Sequence, residues 1–101
     1  MDALEAQALR DGNEAVRRND FAEFFRIHSS LAQAGSALGQ YHLGWCYEHG
    51  AGCMADHMAA LAWYSRAEAG GSREAATAFH RLSQQMRSAV PNTSFERTRE
   101  G

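Results

Sequence analysis

Residues 41–57 read YHLGWCYEHGAGCMADH and gather two Cys, three His, two acidic residues and three Gly into one short segment. Two readings compete for it. Cys46, His49, Cys53 and His57 form a CxxHxxxCxxxH pattern, and thiolates and imidazoles are the side chains that hold zinc. The glycines can instead end one helix and turn the chain into the next, because Gly takes left-handed backbone conformations without steric cost. A closed zinc site needs four ligands in tetrahedral array, and the usual paired CxxC spacing is absent. At helical pitch Cys46 and His49 also point to adjacent but different sides. The hairpin reading is therefore the leading one. A metal- or redox-responsive module on Cys46, His49, Cys53 and His57 stands as the alternative, with a Cys46–Cys53 disulfide across a tight turn as its oxidised form.

Working outward, Ala, Leu, Glu, Gln and Arg dominate and the one proline is Pro91, so residues 2–87 read as helix broken at defined places. Asp20 with Glu23 has the spacing of a reciprocal capping box. Gly35 before Ser36, Gly50 and Gly52 before Asp56, and Gly70 and Gly71 before Ser72 repeat the stop-and-restart signal. The spacing predicts helices near 2–18, 20–34, 36–49, 56–70 and 72–87. Gly44 falls inside the third, where it costs about 1 kcal/mol against Ala. Close approach to the facing helix offsets that cost, with Ala60 opposite and Tyr47, Trp63 and Tyr64 around it. Cys46 is expected to pack its thiol against helix 56–70, and His49 to sit in solvent near a helix end.

The boundaries recur at a stride of 36: Asp20 with Asp56, Gly35 with Gly71, Ser36 with Ser72, and Ser29 with Ser65. Apolar positions keep step, among them Phe25 with Leu61, Ile27 with Trp63, Leu43 with Phe79 and Cys46 with Leu82. A two-helix unit of this length cannot bury its apolar face alone, so neighbouring units must stack. The expected fold is all-α, a short right-handed superhelix of antiparallel helix pairs with about five helices.

The run AGSALGQYHLGWCYEHGAGCMADHMAALAWYSRAEAGGSREA resembles the Sel-one-like repeat, a relative of the tetratricopeptide repeat with the pattern LGxxYxxGxGxxxDxxxAxxWYxxAxxxG. Leu43, Gly44, Tyr47, Gly50, Gly52, Asp56, Ala60, Trp63, Tyr64, Ala67 and Gly71 fall on that pattern, and the likeness covers one full repeat, residues 35–70, within a helical domain of residues 1–87. In arrays of this kind the first helix of each pair lines a concave groove. The resemblance therefore implies that Leu38, Tyr41, Trp45, Glu48 and His49 face a protein or peptide partner. Tyr and Trp beside charges are what binding hot spots are enriched in, although Trp45 can equally serve to cover a neighbouring helix. One period later Glu74, Thr77, Arg81 and Gln84 are polar while Ala75, Phe79, Leu82 and Met86 form an apolar stripe, which reads as a terminal cap.

Composition narrows the function. Ten basic and twelve acidic side chains give a formal charge of -2, which favours neither nucleic acid nor an anionic membrane. The opening MDALEAQALRDG lacks the basic and then apolar pattern of a secretion signal, and no apolar run approaches the roughly 18 residues of a membrane span; a cytoplasmic setting is expected. His28, His42 and His80 occupy helical positions with no nucleophile and acidic orienter at suggestive spacing, so neither an active site nor a cofactor is expected. Residues 88–101 are expected to form a disordered tail, broken at Pro91, with a chance glycosylation triplet at Asn92, Thr93 and Ser94 and only Val90 and Phe95 as burying residues. The leading expectation is a non-catalytic adaptor or scaffold of bacterial Sel-one-like type. Besides the metal or redox module, the second alternative is a self-associating structural repeat, because arrays of this kind usually need about three units.

Overall fold

The computed structural model describes residues 2–89, all of whose regular structure is helical. Helix α1 spans Ala3–Arg17, α2 Phe21–Gln33, α3 Ala37–His49, α4 His57–Ala69 and α5 Arg73–Ala89. The last helix runs two residues beyond its expected end. The expected tail features at Pro91, Asn92 to Ser94 and Phe95 lie outside the described residues. No helix among the described residues is long and apolar enough to cross a membrane.

Each helix starts on a side chain that accepts a backbone N–H three residues on: Asp2 from Glu5 at 2.8 Å, Asp20 from Glu23 at 3.1 Å, Ser36 from Gly39 at 3.1 Å, Asp56 from Ala59 at 3.1 Å and Ser72 from Ala75 at 3.0 Å. Each cap satisfies a donor that the helix cannot satisfy itself, worth about 1 kcal/mol. The reciprocal half of the box expected at Asp20 is replaced. Glu23 turns to Arg26, whose Nε donates to it at 2.9 Å, because a charge-assisted bond outcompetes a neutral amide.

Three of the four connections share one hydrogen-bond pattern. Asn19, Gly35 and Gly71 have φ of 60°, 96° and 104°. Their N–H groups bond to the carbonyls of Val16, Ala32 and Glu68, and the next residues, Asp20, Ser36 and Ser72, bond back to Ala15, Leu31 and Ala67 at 2.7, 3.1 and 2.9 Å. These are six-to-one closures that end one helix and deliver the chain straight into the next cap. The fourth connection, residues 50–56, is longer. Gly50 closes α3 in the left-handed region, Asp56 N–H returns to the Tyr47 carbonyl at 2.8 Å, and Gly52 lies against α2. A Cβ on Gly52 would come 2.2 Å from the Phe21 carbonyl oxygen.

Consecutive helices pack on one another, and α3 lies in the middle of the order, bonded to α1 through Ser36 and Glu5 and to α5 through Glu48 and Arg81. The buried residues fall into two clusters. One joins Ala60, Tyr64 and Ala67 of α4 to Ala75, Ala78 and Leu82 of α5, with Tyr41 and Tyr47 of α3 packed against it. The other joins Ala15 of α1, Phe24 of α2 and Cys46 of α3, with Phe25, Trp45 and Cys53 alongside. Cys46 is fully buried, but among α1 and α2 rather than against α4 as expected, because its side of α3 turns toward Phe24.

Gly44 makes the close approach its position requires. A Cβ there would sit 2.7 Å from two ring carbons of Tyr64 and 3.2 Å from the Ala60 carbonyl oxygen. The aromatic wedged into this seam is Tyr64, fully buried, and not Trp63. Trp63, one residue earlier, turns about 100° away on the helix; it is half-buried and carries the Arg66 guanidinium 4.7 Å above its ring.

Candidate functional site

The five residues expected to face a partner share α3 but not one environment. Leu38 and Tyr41 are half-buried and, with Ala37, His42, Gly70, Gly71, Ser72 and Glu74, line an open depression of about 430 Å³ between α3 and the start of α5. Trp45 leans on α2 instead. Its ring centroid lies 5.8 Å from that of Phe24 and 6.4 Å from that of Phe21, so it covers the neighbouring helix. His49 is exposed and rests on Trp45 at 4.8 Å.

Glu48 leaves the exposed face altogether. Its side chain is 6 % exposed, and three donors occupy its carboxylate: Tyr64 Oη at 2.7 Å, Arg81 Nη1 at 2.6 Å and Arg81 Nη2 at 2.9 Å. The fork of Arg81 binds both oxygens, the geometry in which guanidinium and carboxylate pair best. Hydrogen bonding to Arg81 holds the Glu48 carboxyl below the usual carboxylate range and raises Arg81 in turn, while burial and the bond to Glu48 push the Tyr64 phenol up. Glu48 is thus a clasp joining α3, α4 and α5. A buried carboxylate held by three donors is committed to the fold and has little to offer a partner.

The four candidate metal ligands do not converge. Among the described residues no three His, Cys, Asp or Glu side chains could share a metal ion. Cys46 is buried, which pushes its thiol up to about 12, while His57 is exposed at the start of α4. Both cysteines are free thiols, with the Cys53 S–H 3.5 Å from the Cys46 carbonyl oxygen. Burial, and then the Asp56 charge, raise Cys53 as well, so neither thiol is activated toward reaction.

A second constellation combines histidines that spacing alone did not pair. His28 of α2 stacks on His42 of α3 with centroids 4.3 Å apart and planes 22° from parallel. Phe24 flanks both rings, at 4.6 and 5.8 Å, and Tyr41 meets His42 edge-on at 5.1 Å. His42 Nδ1 lies 3.0 Å from the Leu38 carbonyl oxygen, where only a ring N–H can donate. His28 is 1 % exposed, and its Nδ1 has no hydrogen-bond partner among the described residues. Across its other nitrogen lies Gly12 of α1, where a Cβ would approach Nε2 to 3.0 Å. Burial, with His42 adding to it, lowers His28 to about 4; burial also lowers His42, against the pull of the Leu38 carbonyl and of Glu74. The spacing of Phe24, His28 and Ala32, four residues apart in each step, was the available signal that His28 sits on the buried stripe of α2.

What the arrangement offers is a helical frame with an open, part-apolar depression beside Leu38 and Tyr41. No protein-family model, no curated protein and no solved structure matches the chain.

Proposed function

We propose that the chain is a non-catalytic interaction module, a short right-handed stack of antiparallel helix pairs of Sel-one-like type that holds a protein or peptide partner against the α3 face at Leu38 and Tyr41. The stacked architecture is supported by consecutive packing of the five helices and by the turn that recurs at Asn19, Gly35 and Gly71. One observation carries the docking role: the two side chains border an open depression, while Glu48 and Cys46, the chemically richer groups of the same helix, are occupied or buried within the fold. Half-exposed apolar and aromatic side chains on a pre-organised helix lose little entropy on binding. A cytoplasmic setting, where both thiols stay reduced, belongs to the same proposal.

The test is a photo-crosslinking amino acid at position 38 or 41, with position 84 on the exposed side of α5 as control. A discrete adduct in cells from 38 or 41 and none from 84, with an unchanged helical spectrum, supports the docking face. Equal labelling from all three positions sinks it.

A further inference from the structure

The depression at Leu38 does not end at Ala37 and Gly70. Both residues also line a second depression, of about 360 Å³, that continues to Leu4 and Leu31 beside Asp2 and Glu5. The two make one trench across the edge where α1, α3 and α5 begin. Gly70 keeps the passage between the two open, because a Cβ there would lie 3.0 Å from that of Ala37. Leu4 is 72 % exposed at its far end, a large apolar side chain with little cover.

The charge along the trench has one sign. Among the described residues Asp2, Glu5 and Glu74 line it and no Lys or Arg does; Arg26, on the adjoining depression past Leu4 and Leu31, is paired with Glu23, and Arg73, exposed at the start of α5, stands outside. Their hydrogen bonds do not neutralise them. Asp2 accepts a backbone N–H from Glu5, Glu5 accepts the Ser36 hydroxyl at 2.6 Å, and Glu74 lies 3.5 Å from the Ser72 hydroxyl. All three partners are neutral. Helix dipoles do not cancel the charge either. The edge gathers the N-termini of α1, α3 and α5 and the C-termini of α2 and α4, so partial charges of about half a unit each leave about half a positive charge, well short of three carboxylates. The carboxylates therefore set a negative potential along an apolar floor.

Taking the α3 face as the docking surface proposed above, we infer that its partner is a cationic, part-apolar peptide segment, one whose leucine-like side chains lie along Leu4, Leu38 and Tyr41 while flanking Lys or Arg meet Asp2, Glu5 and Glu74. An acidic segment would meet like charge at every polar position, and a neutral one would gain the apolar contact alone. A second copy of the chain fits less well, since its own net charge is -2.

The experiment uses the full chain and three labelled peptides of one length and one leucine pattern, carrying Lys, Gln or Glu at the other positions, read by fluorescence anisotropy. The Lys peptide binds tightest and weakens as salt rises, the Gln peptide binds less, and the Glu peptide does not bind. Glu74→Gln weakens the Lys peptide about two- to five-fold and leaves the Gln peptide unchanged. Leu38→Ala weakens both by about tenfold, with helical content preserved. Equal binding of all three peptides overturns the inference. So does Lys-peptide binding that ignores Leu38→Ala, which would mean diffuse attraction, and so does self-association without peptide binding. A discrete crosslinked adduct at position 38 without Lys-peptide binding sinks the cationic partner and leaves the docking face standing; absence of both sinks the two together.

Discussion

Helix α3 meets a buried titratable group on each of its two flanks, its own Glu48 on one and His28 of α2 on the other, and the fold treats the two oppositely. Toward α4 and α5 it buries Glu48, whose carboxylate meets three donors. Toward α2 it presents His42 to His28, whose Nδ1 meets none among the described residues. The difference lies in what each group does when a proton arrives. Glu48 is bound in its charged form and resists protonation; His28 is buried in its neutral form, and a charge there would sit beside a second imidazole with no acceptor at Nδ1 among the described residues. One flank is held together by charge, and the other holds only while charge is kept out.

The strongest way to break this contrast is Glu48→Ala. It strands the Tyr64 hydroxyl in the interior and leaves Arg81 without its partner, for an expected loss of about 3 kcal/mol, tempered by the part-exposure of Arg81. Denaturant titration measures it, and a loss under about 1 kcal/mol would mean the clasp is ornamental. That is a large fraction of the 5–15 kcal/mol typical of a domain.

Acid should sharpen the contrast. The His28 pKa falls from the ordinary 6.5 in the unfolded chain to about 4 in the fold, so between those values the unfolded chain binds the extra proton. Stability is full above about pH 6.5 and is lost as the pH drops toward about 4, by up to about 3 kcal/mol at about 1.4 kcal/mol per pH unit. Among the described residues the titratable group acting on His28 is His42, itself near Glu74, while α1 approaches it at Gly12. The Glu48 clasp has the same sign but a lower window, because its depressed carboxyl loses its stabilising charge only below the ordinary carboxylate range. Hydrogen exchange followed against pH should therefore show α1 and α2 loosening before α4 and α5, and His28→Leu should flatten the higher window. Simultaneous loosening of all five helices would contradict this.

Smaller effects probe the same two flanks. Tyr64→Phe removes one of the three donors to Glu48 and is expected to cost about 1 kcal/mol in denaturant titration. In native protein a maleimide should modify Cys53 well before Cys46, which reacts only as the α1–α2 flank opens. Equal rates at neutral pH would mean that this flank is already loose.

The helices were legible because each boundary is carried by a local signal: a side-chain cap, or a residue able to take positive φ. Gly44 was legible for the same kind of reason, a cost inside a helix that only contact could offset. The groove stripe was not. Reading Leu38, Tyr41, Trp45, Glu48 and His49 as one face assumes a helix with one buried side, whereas α3 packs between neighbours and buries Gly39, Leu43, Gly44, Cys46 and Glu48 around its circumference. The Arg81 partner was hidden by the stride itself, which aligns Arg81 with Trp45 and Glu48 with Gln84. Pairing between a carboxylate and a guanidinium 33 residues apart leaves no local pattern. The histidine stack needed the relative rotation of two helices, which capping residues do not specify.

The tightness at Gly52 also distributes tolerance to change unevenly over the molecule. With the 50–56 connector pressed on the Phe21 carbonyl, lengthening it would push directly on the start of α2. Gly35 and Gly71 have open space where a side chain would project. New segments grafted at those two corners would extend into solvent, so variation in loop length has room to accumulate beside the trench and little room on the opposite edge.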